Sequence, residues 1–445
     1  MSGLQNMDTL VSLAKRRGYV FQSSEIYGGT GSVWDYGPLG VELRRNVMDA
    51  WWGAMVHQRD HIEGLDSGIL MHPKVWEASG HVEGFTDPLV ECKKCKKRFR
   101  QDQLEGSACG QKPSKAPGAT DDCDLGEPRL FNLMFETNMG PVKGAASTVY
   151  LRPETAQGSY VNFLNVQTSA RQKVPFGIAQ MGKAFRNEIT PGNFIFRTRE
   201  FEQMEMQFFV EPGSDDEWFE YWRAQRIEWH HGLGITPEKL RLTPHGPDEL
   251  AHYAKTAEDI EYEFPFGWKE FEGIHNRTDF DLSRHQEFSG KKLEYVDSGS
   301  GQRFIPYVIE TAVGVGRTML VVLADAYREE DVEGDSRVVL SLNPRLAPIK
   351  AAVFPLVKKD GMPEAAEALH KELRAAGIPS FFDVSGSIGR RYRRQDEAGT
   401  PWCVTVDGQT IEDGTVTIRD RDTLGQTRVG LDGVRAWIQE RLATS

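Results

Sequence analysis

Between Pro175 and Glu211 the chain reads PFGIAQMGKAFRNEITPGNFIFRTREFEQMEMQFFVE, two runs rich in Phe, Ile, Met and Val around Thr190-Pro191-Gly192-Asn193. Pro, Gly and Asn together mark a turn, and apolar runs on both sides of a turn read as an antiparallel hairpin. The spacing predicts strands over 176–189 and 196–210. Side chains alternate between the faces of a strand, so Arg197, Arg199, Phe201, Gln203 and Glu205 are expected on one face of the second strand. A solvated sheet face would account for the charges alone. It does not account for the ring of Phe201 among them, or for Arg186, Asn187 and Glu188 closing the first strand. Arginines, carboxylates and a flat ring on one small sheet suit a ligand that combines a polyphosphate, an amine and a base.

Phe185-Arg186-x-Glu188 followed by FRTREFEQMEMQFF resembles motif 2 of the class II aminoacyl-tRNA synthetases, specifically the glycyl type. The resemblance implies an α+β catalytic domain built on an antiparallel sheet with helices. It implies ATP contacts from Arg186, Asn187, Glu188, Phe196, Arg197, Thr198, Arg199, Glu200 and Phe201, and glycine contacts from Phe201, Glu202, Gln203, Met204 and Glu205.

The rest of the chain bounds this expectation. A length of 445 residues calls for two or three domains. No run approaches eighteen uninterrupted apolar residues, so no membrane span is expected. The N-terminal MSGLQNMDTLVSLAKRRGY has no apolar signal-peptide core, which points to the cytoplasm. A net charge of −12 argues against a general nucleic-acid binder but leaves room for a selective RNA partner met by clustered basic residues.

Residues 8–17 read as a short amphipathic helix, and YGGTGSVWDYGPLG (27–40) as a Gly-rich loop whose glycines either cradle phosphate or simply turn the chain. In the glycyl family the same phrase begins the catalytic domain. VELRRNVMDAWWGAMVH (41–57) predicts a helix with Leu43, Val47, Ala50, Trp51 and Ala54 on one face, and SGILMHP a strand ending at Pro73. Helix, then strand, then proline resembles class II motif 1, which the family uses at its dimer interface; a homodimer is implied.

Four of the five cysteines are Cys92, Cys95, Cys109 and Cys123. Four thiolates offer tetrahedral zinc a ligand set, and Cys92-x2-Cys95 has knuckle spacing, but the second pair is thirteen residues apart. Structural zinc and free thiols in a disordered insert both stand as readings, with QKPSKAPGATDD a flexible loop between. ECKKCKKRFR is basic, which serves equally for solvation or for contact with an RNA backbone. The resemblance singles out Arg100 as reaching the substrate.

TVYLRPETAQG (148–158) resembles the family's amino-acid loop. Its Glu154 would grip an ammonium group, while on residues alone it serves equally as a negative charge at a helix start after Pro153. DDEWFEYWRAQRIEWHHGLGI predicts an amphipathic helix, with His230 and His231 as surface or packing residues, and 236–282 a helix followed by strands. In WKEFEGIHNRTD the resemblance places Glu270 and Phe271 near ATP, and Arg277 near glycine. Carboxylates beside a triphosphate suit magnesium, expected at Glu270 and Glu310. YVIETAVGVGRTMLVVLADAY (307–327) predicts a strand, a Gly-rich turn and an apolar helix. It resembles motif 3, which implies glycine contacts from Glu310, Thr311, Ala312, Val313 and Gly314. ATP contacts are implied from Gly314, Val315, Gly316 and Arg317, the arginine meeting the γ-phosphate and stacking on adenine. Many relatives carry Ser where Ala312 stands and an acidic residue where Gly316 stands.

A boundary is expected around Ser341–Pro344, with a compact, largely parallel α/β domain over 344–445. Its GSIGRRYRRQDEAGTPWCVTVD places four arginines and Tyr392 within five residues, suited to phosphate contact and base stacking. It resembles an anticodon-binding domain. Cys403 is expected to be buried. Residues 1–343 would form the catalytic domain, with a Cys-containing insertion at about 90–128 and a helical one at about 214–260. The chain as a whole resembles a glycine–tRNA ligase using ATP, magnesium, glycine and tRNA-Gly, with Arg186, Glu188 and Arg317 carrying catalysis. The alternatives are a non-catalytic, synthetase-like accessory subunit that binds nucleic acid, and a synthetase for another amino acid such as proline or threonine.

Overall fold

The computed structural model describes residues 2–445 apart from 106, 122, 142, 143, 145, 146, 191, 249, 252 and 333; Pro191 of the turn signal lies outside the described residues. Helix α1 (Met7–Arg17) starts where the side chain of Asn6 accepts from Thr9 N, and stops at Gly18, whose φ of 74° takes the chain out of the helix. Helix α2 (Pro38–Trp52) has proline in its first turn and buries Leu43, Val47 and Trp51. Gly40 is required there, because a Cβ would stand 1.8 Å from the Tyr19 carbonyl oxygen.

The N-terminal unit is built on seven strands: β1 (Ile62–Gly64), β2 (Phe176–Phe185), β3 (Glu200–Val210), β4 (Leu240–Pro244), β5 (Thr256–Phe264), β6 (Gly267–Thr278) and β7 (Tyr307–Gly314). Their order is β4-β5-β6-β7-β3-β2-β1, antiparallel except for the β2–β1 pair. Helices α3 (Asp215–Gly232), α4 (Phe280–Ser289) and α5 (Val315–Ala326) complete the frame. Period two decides what each face does. Met204, Met206, Phe208 and Val210 of β3 join one core with α2, α3 and α5, while Phe209 joins a second core with Tyr160, Phe163 and Leu282. Each fully buried aliphatic or aromatic side chain contributes about 1.5–3 kcal/mol. On the Phe209 face, the earlier part of β3 is polar, with Gln203 and Glu205, and that is where the pocket opens.

Several sequence expectations change. The hairpin strands are shorter than predicted, because Phe194, Ile195 and Phe196 are apolar and bury into the main core, pulling residues 186–199 off the ladder. SGILMHP is not a strand. Leu70 makes a single bridge to Leu151, and Pro73 instead opens a short helix, Pro73–Ala78, capped by His72. The predicted helical insertion over 214–260 is α3 alone; β4 and β5 belong to the main sheet.

The C-terminal unit has β8 (Ala351–Pro355), α6 (Met362–Ala375), β9 (Ser380–Phe382), α7 (Ile388–Glu397), β10 (Trp402–Val406), β11 (Thr415–Asp420), β12 (Gln426–Gly430) and α8 (Val434–Thr444). Its sheet runs β9-β8-β10-β11-β12, with β9, β8 and β10 parallel and the last two antiparallel. The sheet is therefore mixed rather than largely parallel. Cys403 is buried. Among the described residues no helix is long and apolar enough to cross a membrane.

Candidate active site

The pocket is a cavity of about 390 Å³ over β3, β6 and β7. Alternation on β3 brings Phe201, Gln203 and Glu205 to it, as the sequence predicts, and the same period on β7 brings Glu310, Ala312 and Gly314. On β6 the pocket residues Gly273, His275 and Arg277 share one parity. A strict period would then send Glu270 to the opposite face. It does not, because the register against β5 slips at Phe271, pairing Ile260 with Glu272 but Glu261 with Glu270. This bulge tucks Phe271 into the core and re-aims the Glu270 carboxylate into the pocket.

One end of the cavity is cationic. The Arg186 guanidinium lies 5.3 Å from the Phe85 ring centre and 5.4 Å from that of Phe201, with Nε donating to the Pro153 carbonyl at 3.0 Å. Arg317 rests on the Phe196 ring at 4.6 Å and donates to the Phe196 carbonyl and to Glu270 Oε1 at 3.0 Å. Partial desolvation by the pocket walls raises the pKa of Glu270, but the charges of Arg317, His275 and Arg186 outweigh it and hold the carboxyl below its usual range.

The other end is anionic and buried. Glu154, Glu205 and Glu310 converge there with Arg277. Arg277 Nη1 donates to Glu310 Oε2 at 3.0 Å, and its other nitrogens are held by Asp281 at 2.8 and 3.1 Å. Gln207 Nε2 donates to Glu310 Oε2 at 2.7 Å. Burial, then the charges of Glu310 and Glu154, push Glu205 well above the ordinary carboxylate range. Glu310 is driven the other way: burial opposes ionisation, but Arg277 and His275 overcome it. Glu154, buried likewise, is held down to about 2 by His81 and Arg277. Three carboxyls thus share a small volume with unequal proton affinities, a trio suited to a small cation.

Phe85, Asp87, Arg100 and Leu133 form one wall, Arg100 coming from the Cys-containing insertion and the other three from the segments that flank it. Arg100 is fixed by Asp87 at 2.6 Å and Asp102 at 2.7 Å. Beside it, Cys92, Cys109 and Cys123 are buried in one small core with Cys95 packed against them. As the side chains stand, no group of three or more His, Cys, Asp or Glu among the described residues is arranged to hold a metal ion; the thiols contact one another instead, Cys123 Sγ lying 3.5 Å from Cys92 Sγ.

Not every predicted contact turns inward. Arg197 and Thr198 line the pocket, but Arg199 donates to the carbonyls of Gly31 and Glu188 and ties down the loop. Glu200 pairs with Lys183 at 2.5 Å, and the buried Glu202 carboxylate is taken by Arg44 of α2. Met204, Thr311 and Val315 point to the opposite side of the sheet or into the core. Asn187 is held by its backbone to the Leu133 carbonyl at 2.7 Å. Glu188, Val313 and Gly316 line the cavity. Glu270 and Glu310 sit at opposite ends: Glu310 faces His275, and five residues of β6, on the order of 15 Å, separate that point from Glu270. Sequence reasoning missed His275, Gly273 and Tyr253. The first two were accessible, being two and four residues before Arg277 on the same strand face. Tyr253, whose ring lies 3.9 Å from the Arg277 guanidinium, comes from a loop with no periodic signal.

Two family models match the chain: the tRNA synthetase class II core domain (G, H, P, S and T) over residues 143–326 and the anticodon binding domain over 350–441. The glycine–tRNA ligase of Treponema denticola is 57% identical over 430 residues, covering 95% of this chain and 94% of that protein. Those of Borrelia hermsii and Thermobifida fusca are each 53% identical and cover 98% of this chain and, respectively, 97% and 98% of their own. Among solved structures, prolyl-tRNA synthetase from Cryptosporidium parvum, complexed with halofuginone and AMPPNP, superposes with a TM-score of 0.67 at 14% identity, covering 98% of this chain and 75% of that one.

Proposed function

Because the chain belongs to the glycine–tRNA ligases, a class II aminoacyl-tRNA synthetase family, we propose a division of its pocket among the substrates of that reaction. The chain is an aminoacyl-tRNA ligase: it activates glycine with ATP and passes it to tRNA-Gly. The cationic end, with Arg186 and Arg317, takes the ATP phosphates, and Phe201 and Arg317 take the adenine. The anionic end, with Glu154, Glu205 and Glu310, takes the ammonium group of glycine. The observation that carries this division is the polarity of the cavity itself, arginines at one end and three buried carboxyls at the other.

Chemistry follows from that placement. A carboxylate oxygen of glycine attacks the α-phosphorus in line, and pyrophosphate leaves from the opposite side. No side chain has to move a proton in this step, so the chain contributes position and charge: Arg186 meets the charge developing on the α-phosphate, and Arg317 that on the leaving group. In the second step a ribose hydroxyl of the tRNA end attacks the glycyl carbonyl, the ester bond forms as the acyl–phosphate bond breaks, and AMP leaves with the hydroxyl proton passing to its phosphate. Class II synthetases use magnesium with ATP; the Glu270 carboxylate, beside Arg317 and half exposed, would hold it, whereas Glu310 is already taken by Arg277 and Gln207. Selection of glycine is assigned to steric exclusion by the residues around the ammonium site, Glu154, Glu205, Glu310 and Ala312. ATP–pyrophosphate exchange tested separately with each amino acid should proceed with glycine alone. Exchange with proline or threonine would overturn the pocket assignment, and no exchange from folded, magnesium-supplied protein would favour the accessory-subunit alternative.

For the cysteines we propose structural zinc. Backbone N–H groups of Lys94 and Cys95 point to Cys92 Sγ and those of Gln111 and Lys112 to Cys109 Sγ, two similar bends facing each other. The 3.5 Å between Cys92 and Cys123 sulfurs is close to the roughly 3.8 Å implied by about 2.3 Å Zn–S bonds at tetrahedral angles. Lys112 occupies the position where a second Cys-x2-Cys would place its ligand, and Cys123 supplies the sulfur from another loop. Metal analysis of purified protein should return one zinc per chain, released by a Cys92→Ser, Cys109→Ser double substitution; four thiols that react freely in metal-free, fully active protein would remove the assignment. A homodimer and a cytoplasmic location complete the proposal, supported by the family resemblance of the α2 region and by free rather than bridged cysteines.

A further inference from the structure

We propose that His275 is a positioning residue for glycine: its Nδ1 closes on Glu310 Oε1 as the ammonium group settles, and holds that carboxylate in place. This rests on the assignment of Glu310 to the ammonium group.

The register of β6 and β7 sets His275 directly opposite Glu310. The ring needs room on its own strand, and Gly273 provides it, since a Cβ at that position would stand 2.6 Å from His275 Cε1. Glu310 Oε2 is held by Arg277 and Gln207, so the carboxylate is anchored at one oxygen. Its other oxygen, Oε1, lies 3.0 Å from His275 Nδ1. The pair is close but out of line: among the described residues Nδ1 is buried without a hydrogen-bond partner. A buried imidazole N–H left unpaired is costly, and contacts of this kind are often misaligned until substrate tightens them. A small rotation of the carboxylate toward the ammonium group brings Oε1 into line. Among the described residues His275 makes no other side-chain hydrogen bond; the His245 ring is edge-on to it at 6.3 Å.

The test is steady-state exchange with glycine and ATP varied in turn. His275→Ala should raise KM for glycine about tenfold or more, the scale of a hydrogen bond to a charged group, while KM for ATP stays within about twofold. Nδ1 is two bonds from Cβ, as is the amide nitrogen of asparagine, so His275→Asn should restore KM for glycine. His275→Gln, which mimics Nε2 instead, should not. Equal changes in both KM values, or equal rescue by Asn and Gln, would overturn the proposal and leave a packing role. Glu310→Gln separates the two levels: if it leaves KM for glycine unchanged, the assignment of Glu310 fails, whereas an impaired Glu310→Gln beside a normal His275→Ala overturns the role of His275 alone. Melting temperatures of all variants confirm that folded protein is being compared.

Discussion

Arg186→Ala is expected to lower kcat/KM for glycine-dependent exchange by about 10²–10³-fold, the usual loss when one preorganised charge-stabilising group is removed. The guanidinium cannot be replaced by a neighbour. It is fixed between the rings of Phe85 and Phe201 and tethered by Nε to Pro153, so its free nitrogens face the cavity in one orientation. Phe85 and Phe201 also strip water from it, which strengthens its field on a phosphate. Arg186→Lys should recover only part of the loss, because a flexible ammonium neither stacks between rings nor donates from a planar fork. The measurement is exchange kinetics with both substrates saturated and limiting in turn. A loss under about tenfold for Arg186→Ala would place the α-phosphate elsewhere.

Asp396→Ala is expected to destabilise the folded chain by about 3–5 kcal/mol, the cost of stripping a buried ion pair of one partner. Asp396 is fully buried at the seam between the catalytic and C-terminal units. Its Oδ2 accepts from Arg337 Nε at 2.8 Å and from Arg419 at 3.1 Å, and its Oδ1 accepts from Arg419 at 2.9 Å. Removing it leaves two guanidinium groups facing each other with little water to separate them. Around it, Arg421 donates to the carbonyls of Leu342 and Gly399, and Tyr19 to that of Ala398, so the same turn of chain stitches the units together. Arg390→Ala, on the exposed side of α7, should change stability by no more than about 0.5 kcal/mol. Urea unfolding followed by fluorescence reads both; indistinguishable midpoints for the two variants would contradict the seam.

Helix α7 shows where a sequence reading reaches its limit. Four arginines and a tyrosine within five residues look like an RNA surface. In the fold, Arg391 donates to the carbonyl of Pro355 at 2.6 Å, Tyr392 bonds Thr405 at 2.6 Å under the Arg419 guanidinium, and Arg394 is taken by Ser385 and Asp383. Arg390 and Arg393 are left as the outward cations of that run. Charge is visible in a sequence, but the carbonyls that satisfy it come from β8 and its neighbours, and nothing local announces them.

By itself the sequence determined the features that depend on short-range periodicity: the alternation that puts Phe201, Gln203 and Glu205 on one face of β3, and the strand and helix that carry Arg317. Those follow from the geometry of strand and helix, which repeats every two or 3.6 residues and needs no partner. Tertiary structure decided the rest. The Phe271 bulge, which turns Glu270 into the pocket, exists because β5 pairs with β6 one residue out of step. The loop over 186–199 leaves the ladder because Phe194, Ile195 and Phe196 gain more by burial in a distant core than by extending a hairpin. The unequal proton affinities of Glu154, Glu205 and Glu310 arise only when two strands and a loop remote in the chain bring their charges into one small volume, where each carboxyl feels the others.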